Sequence, residues 1–519
     1  MNLPRLDKHN AAMFWAPRVI GLTCLAWLVY EWMAGSTGLS MSEGHRAIPA
    51  WEMMEKGNWF SPTMFEQPYL RKPPGMPWAI AAFSSMMGQT ELAARSVSAV
   101  SMLLAALASA WFASRWFGRD VAFGAGALHL LTPWFWESGR AAEIEALHNL
   151  GVVLAIWGLI DQCVMSGRQR QMMSLMAFFL GVCIAGLAKG PAAVLLLIAL
   201  AAAVWIIKPV GVRLRAGRMG VAFAGALALL GGLGWMIWQR SHAGTVAPIT
   251  QSVTEFLWSW DRVGKIAVMP VTVVFSALPL SVLAWWAWRG TGCAAKPSCE
   301  SSADDATRLI VVTAVIGVAL FALAGVSNPR YLLPVGAILS PVAGLALHGL
   351  IAGPKLRSAA LIGRGVALAT IPVLLVGSVL YTVISERGRG LSSGKSAGIR
   401  LADQLPHGAV VIADDLIEAR PEVLWYARQG ALQRGNTVRI VWTPASLYAL
   451  EKGRAQTWPE PTHALIRIDD RSSEAQRLEN DLKMLVLQPT DYTDRIGPSS
   501  RPFEFRLYAL QRGASSPDK

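Results

Sequence analysis

The chain has 519 residues, 53% of them hydrophobic and 16% charged, where a soluble globular chain carries roughly a quarter charged residues. An ordinary soluble protein is excluded, because residues 19–384 read as a series of apolar runs long enough to cross a hydrocarbon core of roughly 30 Å. The net charge of +13 does not mark a nucleic-acid partner, since Lys and Arg mostly occupy short loops between those runs, the positive-inside pattern.

The basic clusters are Arg5, Lys8 and Arg18; Arg115 and Arg119; Arg168 and Arg170; Lys208, Arg213, Arg215 and Arg218; Arg289, Lys296 and Arg308; and Lys355, Arg357 and Arg364. Placing all of them in the cytoplasm predicts spans at 19–34, 93–113, 121–136, 146–164, 172–188, 191–207, 219–238, 269–288, 309–326, 331–351 and 365–384. The expected fold class is thus an α-helical polytopic membrane protein of about eleven transmembrane helices (range 10–13). The expected location is a bacterial inner membrane, with the N-terminus cytoplasmic and the C-terminal end periplasmic. Trp15, Trp32, Trp59, Trp78, Trp116, Trp134, Trp136, Trp238 and Trp258 lie near span ends, where indoles are favoured. The first apolar run leads into an acidic segment without a small-residue cleavage site, so it is not read as a cleaved signal. Five cysteines are too few for a disulfide scaffold.

The loops on the other side differ. Residues 35–91 form a long first periplasmic loop with Glu43, Glu52, Glu55, Glu66 and Glu91; within it, 44–57 and 75–88 have the mixed character of interfacial helices. Pro73, Pro74 and Pro77 exclude a spanning helix there. The loop at 137–145 carries Glu137, Glu143 and Glu145, and that at 239–268 carries Asp261, Arg262 and Lys265. Residues 1–390 are read as the transmembrane domain and 391–511 as a small periplasmic α/β domain, with 512–519 a disordered tail. Strands are predicted at 410–413, 439–442, 464–468, 484–487 and 503–507, alternating with helices near 415–429, 443–454 and 472–482. No nucleotide-binding glycine fingerprint and no metal-ligand cluster stands out.

Ionisable residues at or near membrane depth are costly, which makes function the default reading. Here they gather at predicted outer span ends. Glu43, Glu143 and Glu145 are candidate catalytic carboxylates, because an enzyme acting on a lipid-linked substrate needs a base for an incoming hydroxyl. Arg71, Lys72, Lys189, Arg262 and Arg330 are candidate cations for a phosphate leaving group. Plainer readings stand beside these: solvated helix-start carboxylates, and snorkelling interfacial lysines and arginines. His148 reads as a packed helix residue.

Three stretches in the first loop, Ser42-Glu43-Gly44-His45-Arg46, Trp51-Glu52-Met53-Met54-Glu55-Lys56-Gly57-Asn58-Trp59 and Pro68-Tyr69-Leu70-Arg71-Lys72-Pro73-Pro74, are followed by Met87-Gly88-Gln89-Thr90-Glu91-Leu92-Ala93-Ala94-Arg95. Then come Ala142-Glu143-Ile144-Glu145-Ala146-Leu147, Leu187-Ala188-Lys189-Gly190-Pro191 and Pro329-Arg330-Tyr331-Leu332-Leu333-Pro334. This ordered set, across about 40–340, resembles the GT-C membrane glycosyltransferases, in the branch of bacterial aminoarabinose transferases and protein O-mannosyltransferases (family 39/83 type). The resemblance implies transfer of a sugar from a polyprenyl-phosphate carrier to a periplasmic acceptor, a lipid such as lipid A, a protein or an envelope glycan, with inversion. It implies Glu43 as the retained first-loop carboxylate, Glu145 as the second-loop acid and Lys72, beside Tyr69 and Arg71, as the donor-phosphate contact. No cofactor is predicted, and dependence on a divalent metal is left open. Ser42 stands where that family carries an Asp, and Glu145 where it usually carries Asp. Ser is no base at neutral pH, so either Glu43 or Glu145 takes the role or the chain is a non-catalytic assembly factor that keeps the scaffold. A lipid or solute transporter is the other class weighed; it calls for midplane charges and repeated halves, and neither is evident.

Overall fold

A computed structural model of the chain describes residues 8–65, 67–69, 72–165, 168–190, 193–208, 216–240, 260–291, 301–326, 328–352, 376–377, 379–380, 383–384, 391–413, 420–442, 462–467, 485–496 and 503–512. In chain order the described elements begin with α1 (Lys8–Ala26), α2 (Met41–Lys56), the short strands β1 (Thr63–Met64) and β2 (Gln67–Pro68), α3 (Gly75–Met87) and α4 (Glu91–Trp116). They continue with α5 (Ala122–Leu131), α6 (Trp134–Arg140), α7 (Ile144–Val164), α8 (Arg168–Lys189), α9 (Ala193–Ile207), α10 (Ala216–Arg240), α11 (Trp260–Ser276), α12 (Leu280–Thr291) and α13 (Ser301–Leu323). The last are α14 (Leu333–Ala337), α15 (Ser340–Ala352), α16 (Leu391–Gln404), β3 (Ala409–Ala413), α17 (Pro421–Gln433), β4 (Val438–Trp442), β5 (His463–Arg467), β6 (Leu485–Ile496) and β7 (Phe503–Arg512). The chain divides into two compact units, Met1–Ala34, Leu70–Ala79 and Arg95–Ser378 in one, and Gly35–Tyr69, Ile80–Ala94 and Val379–Lys519 in the other.

The first unit is a bundle of apolar helices. Five described helices are long and apolar enough to cross a membrane, Ala12–Glu31, Glu91–Trp116, Ile144–Val164, Gln171–Lys189 and Ser302–Leu323, and counting two bent pairs as single spans makes seven. Ala193–Ile207 and Gly220–Trp235 are apolar but shorter. The chain is a multi-pass membrane protein. Its expected span at 365–384 falls largely outside the described residues.

Three expected spans differ in detail, each for a backbone reason. The run at 121–136 is two helices, because Pro133 pushes Thr132 out of helical geometry (φ −68°, ψ 117°) and α6 restarts after it. The run at 269–288 bends by 85° between α11 and α12, at Pro279, and the one at 331–351 bends by 51° between α14 and α15. The first span ends in a π-helical turn, Trp27–Glu31. There the Arg140 guanidinium donates to the carbonyls of Val29 (2.6 Å) and Trp32 (2.8 Å), which a helix end leaves without intrahelical donors.

Helix α7 is the centre of this unit, with Trp157 and Ile156 fully buried. It packs against α8 through glycines. A Cβ on Gly151 or Gly181 would collide with the facing backbone at Ala185 or Ala155, and one on Gly158 would lie 2.7 Å from the Ser174 carbonyl oxygen. Small residues of this kind let membrane helices meet backbone to backbone, where apolar burial supplies no drive.

The second unit contains a five-stranded mixed sheet, order β4-β3-β5-β7-β6, with β3 parallel to β4 and β5, and β7 antiparallel to β5 and β6. Helix α17 forms the crossover from β3 to β4 and packs on α16 and α2. The predicted strands at 410–413 and 439–442 lie within β3 and β4, and that at 464–468 follows β5 to Arg467, with Ile468 outside the described residues, while β6 and β7 run well beyond their predicted limits. The predicted helix at 415–429 is described only from Pro421 and continues to Gln433; those at 443–454 and 472–482 lie outside the described residues.

Candidate functional site

In the first unit, the antiparallel register of the α7–α8 glycine seam sets the start of α7 beside the end of α8. Glu145, in the first turn of α7 where the helix dipole favours a carboxylate, pairs with Lys189 in the last turn of α8 at 3.0 Å. Both side chains are buried. The Lys189 ammonium also stands 3.6 Å above the centroid of the Tyr331 ring, a cation–π contact in a desolvated setting. Tyr331 is carried by the 3₁₀ turn Pro329–Leu332, whose preceding Asn328 accepts the Arg330 backbone N–H at 3.2 Å.

Two further cations act on Lys189. The exposed Arg330 and the half-buried Lys72 both lie within electrostatic reach of it. Lys72 arrives through the turn before α3, where Gly75 is pressed so closely on Leu187 that a Cβ would fall 2.6 Å from its carbonyl oxygen. His148, one turn along α7 from Glu145, feels both the Glu145 and Lys189 charges. The cluster therefore brings Lys72 and Arg330 within electrostatic reach of the Lys189–Glu145 pair. Cations gathered in this way attract an anion. The far end of α7 carries a different arrangement, in which Asp161 is balanced by Arg115 (3.0 and 2.5 Å), Trp116 Nε1 (2.8 Å) and the Ser174 hydroxyl.

Glu143 is the N-cap residue of α7 and half-buried; its carbonyl accepts from Ser98 Oγ at 3.3 Å. Arg262 falls in the first turn of α11, but its side chain, like all of Arg71, lies outside the described residues.

Glu43 and Tyr69 belong to the second unit. Glu43 is the third residue of α2 and closes a capping box, accepting the Ser40 backbone N–H at 2.8 Å. It is 2% exposed. Tyr69 is buried and stacks on His45, ring centroids 5.8 Å apart. Between them Glu52 pins the loop, accepting from the Phe65 backbone N–H (2.7 Å) and the Thr63 hydroxyl (2.5 Å) and pairing with Lys56 (2.9 Å). Helix α2 packs on α17: Trp51 meets Trp425 at 4.7 Å, and a Cβ on Gly44 would lie 3.2 Å from the Glu422 backbone nitrogen. Tyr426 Oη accepts from the Leu39 N–H (2.9 Å) and donates to Glu91 (2.9 Å), which also pairs with Lys395 (2.7 Å). Glu422 is fully buried, and burial holds its carboxyl above the usual carboxylate range despite Arg420 at 2.5 Å.

Residues 71–238 match the family described as dolichyl-phosphate-mannose-protein mannosyltransferase. In three dimensions the chain is similar to ArnT from Cupriavidus metallidurans, solved in the apo state (TM-score 0.63, 17% identity, 96% of this chain and 98% of that one) and bound to undecaprenyl phosphate (TM-score 0.65, 18% identity, 96% and 99%). This is a GT-C fold. A more distant GT-C likeness is to the archaeal oligosaccharyltransferase AglB from Archaeoglobus fulgidus, solved with an inhibitory peptide and a dolichol-phosphate (TM-score 0.53, 11% identity, 98% of this chain and 75% of that one). No curated protein is detectably similar in sequence. Sequence reasoning named Glu145, Lys189, Lys72 and Arg330, which the first unit brings near one another, but it did not foresee that Tyr331 would lie under Lys189 or that His148 would lie beside the pair. The spacing of three residues from Glu145 to His148, one helical face, was the available signal.

Proposed function

We propose that the chain is a membrane glycosyltransferase that moves a sugar from a polyprenyl-phosphate donor to an acceptor, with inversion at the anomeric carbon. The gathering of Lys72 and Arg330 about the Lys189–Glu145 pair carries this reading, and the likeness in fold to an undecaprenyl-phosphate-bound ArnT supports it. In a single displacement the acceptor O–H gives its proton to a carboxylate and its oxygen bonds the anomeric carbon. The carbon–phosphate oxygen bond breaks with its electron pair on the phosphate, whose added negative charge the cations stabilise. Glu145 in the first unit and Glu43 in the second are the two candidate bases. The positive-inside pattern supports an inner-membrane protein with the cluster and the C-terminal domain on the periplasmic side. The acceptor is a lipid, a protein or an envelope glycan.

The test is transfer of labelled sugar from undecaprenyl-phosphate donors by the protein in nanodiscs with an envelope extract as acceptor. Loss of a base lowers the turnover about 10²–10⁴-fold, so Glu145→Gln and Glu43→Gln, assayed in parallel, identify which carboxylate takes the proton. Unchanged rates in both remove the proposed chemistry. A second reading, a non-catalytic lipid-binding assembly factor, is favoured by Ser42 and by the cap that engages Glu43. Tight undecaprenyl-phosphate binding without turnover on any acceptor supports that reading.

A further inference from the structure

His148 lies one turn along α7 from Glu145 and takes no part in the Lys189–Glu145 ion pair. It sits on the same face of α7 as Glu145, is 3% exposed, and feels the charges of both Glu145 and Lys189. Its Nε2 is buried and has no hydrogen-bond partner. A buried ring nitrogen without a partner is a standing cost in a membrane protein. Packing does not explain it, since a leucine would fill the space without that cost. Next to a concentration of cations, the group that would relieve it is an anion with several acceptor oxygens.

We infer that His148 is a ligand-contacting residue of the cluster, its Nε2–H donating to a phosphate oxygen of the polyprenyl carrier beside Lys189. This rests on the proposed function and goes one residue further. The imidazole adds a directional donor that lysines cannot. A lysine ammonium is a compact point charge, whereas a ring N–H held by a buried helix face fixes where one oxygen must lie. No proton is transferred; the ring binds and orients.

The experiment measures undecaprenyl-phosphate binding and donor KM with full-length protein in nanodiscs. His148→Ala and His148→Phe should weaken binding roughly tenfold and raise the donor KM alike, a loss of about 1.4 kcal/mol. His148→Gln, which keeps an N–H at similar reach, should stay within about threefold. Inorganic phosphate serves as the second probe: competition by it at millimolar concentration, lost in the alanine variant, shows that the headgroup and not the chain is read. Ordinary binding in His148→Ala or His148→Phe overturns the inference while leaving the transferase reading intact. Absence of undecaprenyl-phosphate binding by the wild type removes the transferase reading itself. Should the alanine variant fail to fold, ¹⁵N-histidine-labelled wild type decides, with the His148→Gln spectrum assigning the resonance. A ring-nitrogen shift on adding undecaprenyl phosphate but not undecaprenol supports the contact, and no shift overturns it.

Discussion

Replacing Glu145 by Gln should tighten binding of undecaprenyl phosphate. The carboxylate lies 3.0 Å from Lys189 Nζ. A phosphate oxygen bonded to the other side of that ammonium, at roughly 3 Å, would stand about 6 Å from the carboxylate oxygen. At an effective dielectric of about 20, two unit charges at that separation repel by about 3 kcal/mol. Relaxation and screening reduce the figure, so a gain of about ten- to a hundredfold in affinity is the expectation. Lys189→Met should act in the opposite sense by a comparable factor, because the same ammonium is then missing. Removing the carboxylate also strands Lys189 without its partner, a change of about 3–5 kcal/mol when a buried pair is broken. The lipid should therefore raise the thermal stability of Glu145→Gln more than that of wild type. Titration calorimetry or thermophoresis in nanodiscs, with undecaprenol as the uncharged control, reads both signs. Equal or weaker binding by Glu145→Gln, together with unaltered binding by Lys189→Met, would refute the idea that these charges face a phosphate.

Three further outcomes follow from particular contacts. Tyr331→Phe keeps the ring under Lys189 and should leave donor binding within about twofold, whereas Tyr331→Ala gives up a cation–π contact of about 0.5–2 kcal/mol and should weaken it several-fold to thirtyfold in the same titration. Gly181→Val drives a side chain into the α7 backbone and should lower the unfolding temperature and abolish transfer, while Gly220→Ala, with nothing within 4 Å, should do neither. Burial raises the Glu422 carboxyl above its unfolded value, so its contribution to stability is full below the ordinary carboxylate range and is lost as pH rises through the raised value. Glu422→Gln should accordingly match wild type near pH 4 and gain on it toward pH 7 in thermal unfolding; a gap independent of pH would show that the titration is not the cause.

The sequence exposes features that depend on composition along the chain and hides those that depend on distant partners. Apolar runs predicted α4, α7, α8 and α13 because hydrocarbon thickness sets their length. The breaks at Pro133 and Pro279 were written in the residues themselves, yet the apolar runs masked them. Strands β3 and β4 announce themselves by Val and Ile. In β6 the pairing with β7 carries the strand from Leu487 through Gln488, Thr493 and Asp494, polar residues that fit an extended conformation only because the neighbour is there. Helix α16, with Ser392, Ser393, Gly394 and Lys395 in its first turns, has little intrinsic propensity and is held by α17. For the site, Glu145 and Lys189 were legible as costly charges at span ends. Their pairing was not, because it depends on which glycines of α7 and α8 face each other.

The α7–α8 hairpin also bears on how such a site could move. Its two helices are locked at one end by Glu145 with Lys189 and at the other by Asp161, which accepts from the Ser174 hydroxyl, and the glycines between leave no clearance. Sliding one helix by a single residue, about 1.5 Å, would spoil both couplings and jam the seam at once. The hairpin thus behaves as a fixed rail, and under the proposed function the carrier headgroup travels to the lysine rather than being met by it.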